Sequence, residues 1–360
     1  MRRFRDAAIA RGVTPPEGAS LKRMFAYWEA GERDVSVTAY QEAFCQMYAA
    51  PPEALGFAPP RDLPPTGGAV RPDQLLDLAV VDDALVALLE SQTQDLRLLD
   101  RRLGSAARTA MVEAHAEQID DLMHRCVSRH RAGLAAALAE ASALAGWLAL
   151  DRADIKAAWN WHERARGAAL ESGSASHMAH VLGQQAIVLL DARQTIAARD
   201  AAEQAAHTVS RRCPPLLASW VAATEAEVLS AAGEAEAARR RFDDAEARFA
   251  EGCDEEIPFL MLSESHLERW RGHCLTMQGD PRAVDVLGRA LASDGESVRA
   301  SASLHTDIAE SLLHVNEREE SARQAERALE LARRCGSARQ AARLRAILAA
   351  ACGEDVKESH

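Results

Sequence analysis

The most constraining feature of this sequence is a pair of small residues that recurs five times at nearly equal intervals. The two members of each pair are seven positions apart: Ala158/Ala165, Ala198/Ala205, Ala238/Ala245, Ala283/Ala290 and Ser321/Ala328. Successive pairs recur at intervals of 40, 40, 45 and 38 residues. A further small residue stands twelve positions before each pair, at Gly146, Ala186, Ala226 and Ala309, and in the fourth repeat Gly272 is one position out of register.

Helix packing explains why such a pattern would be needed. Two antiparallel helices approach closely only where their side chains are small, so each repeat is predicted to be a helical hairpin. One hairpin cannot bury its apolar face alone, so neighbouring hairpins stack. The pattern resembles tetratricopeptide repeats with longer loops, and it predicts five hairpins over 133–335 and a capping helix over 337–350. A non-repeating helical bundle is the alternative, but it leaves the shared register unexplained.

The composition agrees with a chain that is helical nearly throughout. The sequence has 360 residues, is 48% hydrophobic but only 4% aromatic, and is dominated over long stretches by Ala, Leu, Glu and Arg, which favour helices. No alternation of Val, Ile and Thr indicates a strand. The predicted fold is therefore all-α, with a small N-terminal helix-turn-helix-like domain followed by a tetratricopeptide-like solenoid of helical hairpins.

A Pro- and Gly-rich segment separates the two predicted domains. This linker covers 58–72 and reads "APPRDLPPTGGAVRP", a composition that does not form a packed element. A compact domain over 1–57 precedes it. Connecting helices over 73–132 follow it, one running from 73 to 103 and ending at Gly104, the next from 108 to 130. The repeat domain then extends over 133–350, and a flexible tail over 351–360.

Two helices are predicted in the N-terminal segment. The first begins at Ser20 as N-cap and runs to about Ala30, and the second covers 36–48. On the first helix, four apolar side chains at helical spacing are expected to face inward: Leu21, Met24, Phe25 and Trp28. Lys22, Arg23 and Tyr27 are expected to face outward.

The residues that follow these helices carry a resemblance to a known family. The order W-E-x-G at 28–31, an aromatic helix, and E-x-L-G-F at 53–57 resembles the end of a λ-repressor-like helix-turn-helix domain of the xenobiotic-response-element (XRE) type. The chain is similar over almost its full length to actinobacterial XRE-family regulators with C-terminal tetratricopeptide repeats, through "ESQTQDLRLLDRRLG", "ALAGWLALDRADIKAAW" and "ESHLERWRGHCL". The resemblance implies that DNA is contacted by Ser20, Lys22, Arg23, Tyr27 and Arg33.

The sequence departs from the family pattern between Gly12 and Lys22. The intervening "VTPPEGASL" is too short for a separate scaffold helix and a tight turn. The main hypothesis is a DNA-binding transcriptional regulator whose repeat domain senses a peptide, a small molecule or a protein partner. The alternative is a protein–protein interaction scaffold with a degenerate domain that no longer binds DNA. A repeat-containing enzyme is disfavoured, since neither a Gly-rich phosphate loop nor a G-x-S-x-G motif is present.

The charge distribution limits which part of the chain can contact DNA. The formal charge is −12, and residues 1–57 are neutral with seven basic and seven acidic side chains, so only this segment is a candidate for binding double-stranded DNA. Because one N-terminal domain without net charge makes few phosphate contacts, a homodimer is expected. The cysteines are dispersed, and the most apolar stretch, 132–150, contains Glu140. We therefore expect a cytoplasmic protein without a membrane span.

The concave face of the stacked hairpins is the predicted ligand site. First helices are expected to line it and to present Trp147, His180, Gln184, Glu227, Glu268, Asp307 and Glu310. One Trp among several carboxylates would suit a peptide amine or another cationic ligand, although the carboxylates could equally be a solvated lining. No cofactor is expected. No metal is expected either, because the His177-x-x-His180 pair has no further ligand at a fixed offset.

Overall fold

A computed structural model gives the architecture of the chain. It describes residues 2–11, 13–16, 18–30, 35, 37–48, 50, 52–55, 57, 81–104, 108–126, 129–209, 213–252, 257–260, 262–293 and 297–353. The chain divides into two compact units, Met1–Leu78 and Ala79–His360. Sixteen α-helices are found among the described residues, and the β-structure of this part of the chain is one isolated bridge between Ile257 and Leu260. The all-α prediction is confirmed.

The described residues of the N-terminal unit form three short α-helices and one 3₁₀ turn. These are α1 (Arg2–Ile9), α2 (Gly18–Glu29), α3 (Thr38–Tyr48) and a turn at Pro52–Leu55. Phe4 of α1 is fully buried at the centre of an aromatic cluster. Its ring lies 4.9 Å from that of Phe25, 5.9 Å from that of Trp28 and 4.8 Å from that of Phe44, measured between centroids. Trp28 is thus part of the core of this unit.

One expectation for this unit was wrong, and one helix was not predicted. Ser20 is not an N-cap, because α2 begins at Gly18 and includes Ser20 in its first turn. The helix α1 was not predicted at all, because three arginines in "RRFRDAAI" conceal its apolar face, which is Phe4, Ala7 and Ala8. The Pro/Gly linker at 58–72 and Arg33 lie outside the described residues.

The second unit begins with a helix pair that precedes the repeats. Helix α4 (Asp83–Leu103) is capped by the Asp82 carboxylate, which accepts a hydrogen bond from the Leu85 amide, and α5 covers Thr109–Arg125. Both differ from the prediction. Residues 81 and 82 are described and precede α4, so the helix does not extend continuously from 73, and α5 ends five residues before 130.

Five helical hairpins and a final helix follow. The hairpins are α6 (Arg131–Asp151) with α7 (Ile155–Ser172), α8 (Ala175–Asp191) with α9 (Thr195–Thr208), α10 (Pro215–Ala231) with α11 (Ala235–Gly252), α12 (Glu264–Met277) with α13 (Arg282–Ser293), and α14 (Val298–His314) with α15 (Arg318–Cys335). The final helix is α16 (Ala338–Ala351). The predicted solenoid of hairpins is confirmed.

The recurring small residues lie where the helices of a hairpin touch. Ala158, Ala198, Ala238, Ala283 and Ser321 are all buried, as are their partners seven positions later. In the fourth repeat Gly272 takes the close-contact position. A Cβ on Gly272 would lie 2.3 Å from a methyl carbon of Leu287 on α13, so only glycine fits without a shift. The one-residue slip in the sequence is therefore a real change of register.

The solenoid closes on itself, because its first and last layers are in contact. Arg299 of α14 reaches back to α4, where its Nη1 and Nη2 donate to the two carboxylate oxygens of Asp100 at 2.5 and 2.7 Å. The Nη2 of Arg299 also lies 3.3 Å from the carboxylate of Asp151 at the end of α6. Asp151 in turn accepts a hydrogen bond from the Ser337 hydroxyl, the N-cap of α16, at 2.6 Å.

A glycine makes a second contact across the closure possible. Gly104, the C-cap of α4, has a φ of 82°, and a Cβ there would lie 2.1 Å from the backbone carbonyl oxygen of Cys335 at the end of α15. Left-handed backbone and direct contact with another chain segment both favour glycine. The repeat domain is thus a closed ring of helical layers.

Helix α6 has the length and apolar composition of a membrane span. Among the described residues it is the one helix that is long and apolar enough to cross a bilayer by length and composition. In the fold, 83% of its most apolar window is buried inside the repeat domain. Its apolar character is accounted for by its position between α5, α7 and α8.

Candidate functional site

The closed ring surrounds a cavity of about 1290 Å³. The first helices of all five hairpins line it, together with α4, α16 and residues 259–260 from the connection between α11 and α12. The residues facing the cavity recur in register along the first helices, so that Trp147, Ile187 and Glu227 occupy equivalent positions 40 residues apart. The repeat therefore positions the site.

Six of the seven residues predicted on the concave face line this cavity. They are Trp147, His180, Gln184, Glu227, Asp307 and Glu310. The placement of Glu268 was wrong. Glu268 lies away from the cavity, and its carboxylate pairs with Arg289 of α13, 3.4 Å from the Nε. The fourth repeat is shifted by one residue relative to the others, so its cavity positions are taken by Trp270 and His273 instead.

One side of the cavity is an aromatic wall, which we define as His180, Trp220, Phe259, His266 and Trp270. The ring of His180 lies 5.0 Å from that of Trp220 and 4.9 Å from that of Phe259, between centroids. Trp220 and Trp270 are 6.1 Å apart, and His266 stacks on Trp270 at 5.7 Å. Ring contacts at such distances hold flat apolar surfaces in fixed orientations. His180, Trp220 and Phe259 are buried and present only part of their rings to the cavity, whereas His266 and Trp270 are partly exposed.

An ion-pair network joins cavity-lining side chains of α10, α12, α14 and α16. The imidazole of His273 has its Nδ1 2.9 Å from an oxygen of Asp307 and its Nε2 3.6 Å from an oxygen of Glu227. Burial alone would lower the pKa of His273, but the two carboxylates outweigh it and raise the pKa to about 10. Burial would raise the pKa of Asp307, whereas His273 and Arg343 lower it to about 2. At neutral pH the network therefore contains a charged imidazolium between two carboxylates.

Helix α16 provides the remaining cations of this network. The Nη2 of Arg343 lies 2.7 Å from Asp307 and 2.5 Å from Glu310. Arg339 pairs with the end of α8, where its Nε and Nη2 donate to Asp191 at 2.5 and 2.6 Å. The capping helix thus supplies guanidinium groups to carboxylates on the first helices.

The structure does not support the expected acidic groove for a cationic ligand, because the carboxylates already pair with cations of the protein. Glu227 accepts one hydrogen bond from the Trp270 indole at 2.6 Å and pairs with His273, while Asp307 and Glu310 pair with Arg343. The cavity lining contains seven arginines and six carboxylates, namely Arg97, Arg101, Arg193, Arg269, Arg299, Arg339 and Arg343, and Asp100, Asp151, Asp191, Glu227, Asp307 and Glu310. The carboxylates of the first helices are visible in the repeat pattern, whereas four of the seven arginines lie outside the hairpins, on α4 and α16.

The side chains of His180 and Gln184 form a hydrogen bond with each other. The side-chain amide of Gln184 bridges His180 at 3.0 Å and the fully buried His162 at 2.8 Å. Burial lowers the pKa of His180 well below its usual value, and the positive charge of Arg97 lowers it further. His177, the other member of the H-x-x-H pair, bonds to Ser174 and lies 3.2 Å from Glu140. The pair has separate surroundings and does not converge on a common point.

Several residues of the cavity were missed from the sequence although a signal existed for some of them. Trp220 stands 40 residues after His180, at the equivalent position of the next repeat. Phe259 belongs to the "IPFL" run at 257–260, in the repeat interval that is 45 rather than 40 residues long. The extra length allows these residues to fold inward, where Ile257, Phe259 and Leu260 pack against α8 and α10. An apolar run inside an otherwise acidic connection was the available signal.

The N-terminal unit presents the residues that were predicted to contact DNA. Lys22, Arg23 and Tyr27 are exposed on one face of α2, and Leu21 and Phe25 are buried on the other. Ser20 is also exposed. However, eight residues separate α1 from α2, and eight separate α2 from α3, whereas a helix-turn-helix joins its helices by a turn of three or four residues. The described helices form a three-helix cluster, and the connections between them are longer than that turn.

Comparisons with known proteins add little to this description. No model of a known protein family matches the chain. No curated protein matches it either. Among solved structures, the chain is similar to the crystal structure of the P58(IPK) TPR domain, with 13% identity over 88% of this chain and 87% of that one, and a TM-score of 0.23. At this TM-score the two structures do not superpose as one fold, and the repeat architecture is shown by the helix pairs of this chain.

Proposed function

We propose that this chain is a non-catalytic binding protein whose repeat domain holds a ligand inside the ring. The observation that carries the proposal is the cavity of about 1290 Å³, which exceeds the roughly 300–1,000 Å³ of ordinary small-molecule sites. It combines an aromatic wall with charged groups on rigid helices, as ligand sites do. A small molecule fits this volume, and so does a peptide segment of a protein partner.

Filling the cavity tests this function. Ser303 of α14 lines the cavity and is half-buried, so Ser303→Trp would project an indole into the space. We expect ligands selected from a random octapeptide library and a metabolite library to lose at least about tenfold in affinity for this variant, a change of about 1.4 kcal/mol. Calorimetry measures the affinity, and thermal unfolding verifies that the variant is folded.

The matched control is Ser91→Trp, which adds the same side chain to an exposed position of α4 outside the cavity. Ligands that occupy the ring bind this variant as tightly as they bind the unchanged chain. If the libraries yield no ligand, or if the two variants bind every selected ligand equally, the ring is not the binding site.

A second candidate function is DNA binding by α2, which would make the chain a transcriptional regulator. It is favoured by the exposed face of Lys22, Arg23 and Tyr27 on a helix whose opposite face is held by the core. The N-terminal segment has no net charge, so affinity would depend on a few contacts and would fall with salt in proportion to the number of phosphates contacted. A homodimer that doubles these contacts remains part of this proposal.

Removing the two cations of α2 tests the second candidate. We expect Lys22→Ala with Arg23→Ala to weaken binding of duplex DNA and to reduce the salt dependence by about one unit of slope per lost phosphate contact. The control removes two exposed arginines of α11, Arg239→Ala with Arg240→Ala, and so changes the net charge equally. Fluorescence anisotropy at low and rising salt provides the measurement. Equal binding by both double variants, or none by the unchanged chain, leaves only the interaction function.

A further inference from the structure

Two arginines of α4 face the cavity beside the aromatic wall. Arg97 and Arg101 are one helical turn apart and both line the cavity. The Nη1 of Arg97 donates a hydrogen bond of 2.9 Å to the carbonyl oxygen of Pro258, the residue that precedes Phe259 of the wall. The cationic side of the cavity and its aromatic side therefore adjoin each other.

Neither arginine is well matched by negative charge. Among the described residues, Arg97 has one carboxylate partner, Glu140, at 3.7 Å, and His177 approaches the same carboxylate more closely, at 3.2 Å. The Arg97 side chain is 12% exposed, and burial lowers its pKa against the opposing effect of Glu140. Arg101 forms no ion pair with any described residue. A buried cation with a distant partner gains from a nearby anion.

The charged groups in the rest of the lining favour binding of an anion over binding of a cation. Each of the six carboxylates already lies within 3.6 Å of an arginine or of His273. A cationic ligand would have to displace Arg299, Arg339 or Arg343 from bonds of 2.5 to 2.9 Å, or compete with His273 for Glu227. With seven arginines against six carboxylates and a charged His273, the lining is positive in a chain whose overall charge is −12.

We propose that the cavity selects a ligand that carries an anionic group on a planar aromatic ring system, with the anion at Arg97 and Arg101 and the ring against Trp220, Phe259 and Trp270. This inference rests on the proposed ligand-binding function and specifies the charge and shape of the ligand. Such a group belongs to a free aromatic acid or to a peptide whose C-terminal residue is aromatic. Both present the same chemistry to the site.

Two probes with the same ring and opposite charge test the selectivity in the full-length chain. We expect calorimetry to show 2-naphthoate binding about tenfold or more tightly than 2-naphthylmethylammonium, because the two share the naphthalene ring and carry groups of opposite charge. Equal affinities, the opposite order, or no binding of either probe up to about 1 mM would overturn the inference.

A pair of adjacent arginines provides the matched variants. Arg101→Glu should abolish the preference for 2-naphthoate, whereas Arg102→Glu should leave it unchanged, since Arg102 is exposed and does not line the cavity. An equal loss in both variants would contradict a local role for Arg101. If the ammonium probe binds best and Ser303→Trp blocks it, the ring still holds ligands, but the inference about charge fails.

A short peptide distinguishes the two sources of the ligand. A tetrapeptide of three glycines and a C-terminal tryptophan should bind as the free acid and not as the amide if the source is a peptide. If 2-naphthoate binds and neither peptide does, the anionic aromatic ligand is a small molecule. Equal binding of acid and amide would count against the inference, because the amide has no carboxylate.

Discussion

Replacing Arg299 by alanine is expected to lower the free energy of unfolding of the repeat domain by about 3–5 kcal/mol. Arg299 is 13% exposed and lies between two buried carboxylates, those of Asp100 and Asp151. Burial would lower its pKa, but these two carboxylates raise it. The variant leaves both carboxylates buried without their cation, which costs far more than the pair contributes when intact. Urea unfolding followed by circular dichroism measures the loss.

An exposed pair of the same chemistry serves as the control for Arg299. Arg289 is 65% exposed and pairs with Glu268 at 3.4 Å, so Arg289→Ala should cost less than about 1 kcal/mol. If the two variants lose equal stability, the contact between the first and last layers adds nothing to the fold. The closure of the ring would then not contribute to the free energy of unfolding.

Replacing His273 by glutamine is expected to destabilise the protein by about 3–5 kcal/mol near pH 6 and by much less near pH 10. The folded pKa of His273, about 10, lies above its unfolded value of 6.5. Its stabilisation is therefore complete below pH 6.5 and is lost as the pH rises through 10. The pKa of Asp307 is lowered from 3.8 to about 2, so its share is present above pH 3.8 and is lost as the pH falls through 2.

The measurement is a comparison of variant and unchanged chain at two pH values. Urea unfolding at about pH 6 and about pH 10 should give a large difference at the lower pH and a small one at the higher pH. His124→Gln is the control, because His124 is 72% exposed, and it should change stability little at either pH. A loss for His273→Gln that is the same at both pH values would show that the imidazole only fills space.

The fold of the repeats could be predicted because close packing leaves a visible trace. Positions such as Ala158 and Ala198 must be small in every layer, and the recurrence of small residues reveals the period. Helix α1 left no such trace, since Phe4 becomes part of a core only when α2 and α3 supply the other aromatic rings. The start of α4 was also missed, because a continuous run of leucines and aspartates over 73–103 conceals the cap at Asp82.

The sequence predicted which positions of the first helices line the cavity, but it did not predict the charged groups that pair with them. The register of the hairpins placed Trp147, Glu227 and Asp307 on the inner face, where the structure has them. The closure of the ring depends instead on small rotations that accumulate from layer to layer. Contacts such as Arg299 with Asp100, 199 residues apart, therefore have no local pattern, and neither do the guanidinium groups that α16 brings to the carboxylates.

Closure of the ring fixes how many layers the chain can have. An open solenoid tolerates the duplication or loss of a repeat, because each unit contacts only its neighbours. Here an additional hairpin would carry Arg299 away from Asp100 and Ser337 away from Asp151. The circumference is thus set by the bonds that join its ends, and a gene duplication inside this domain would break it open. The repeat count is held constant by geometry, and the cavity keeps one size.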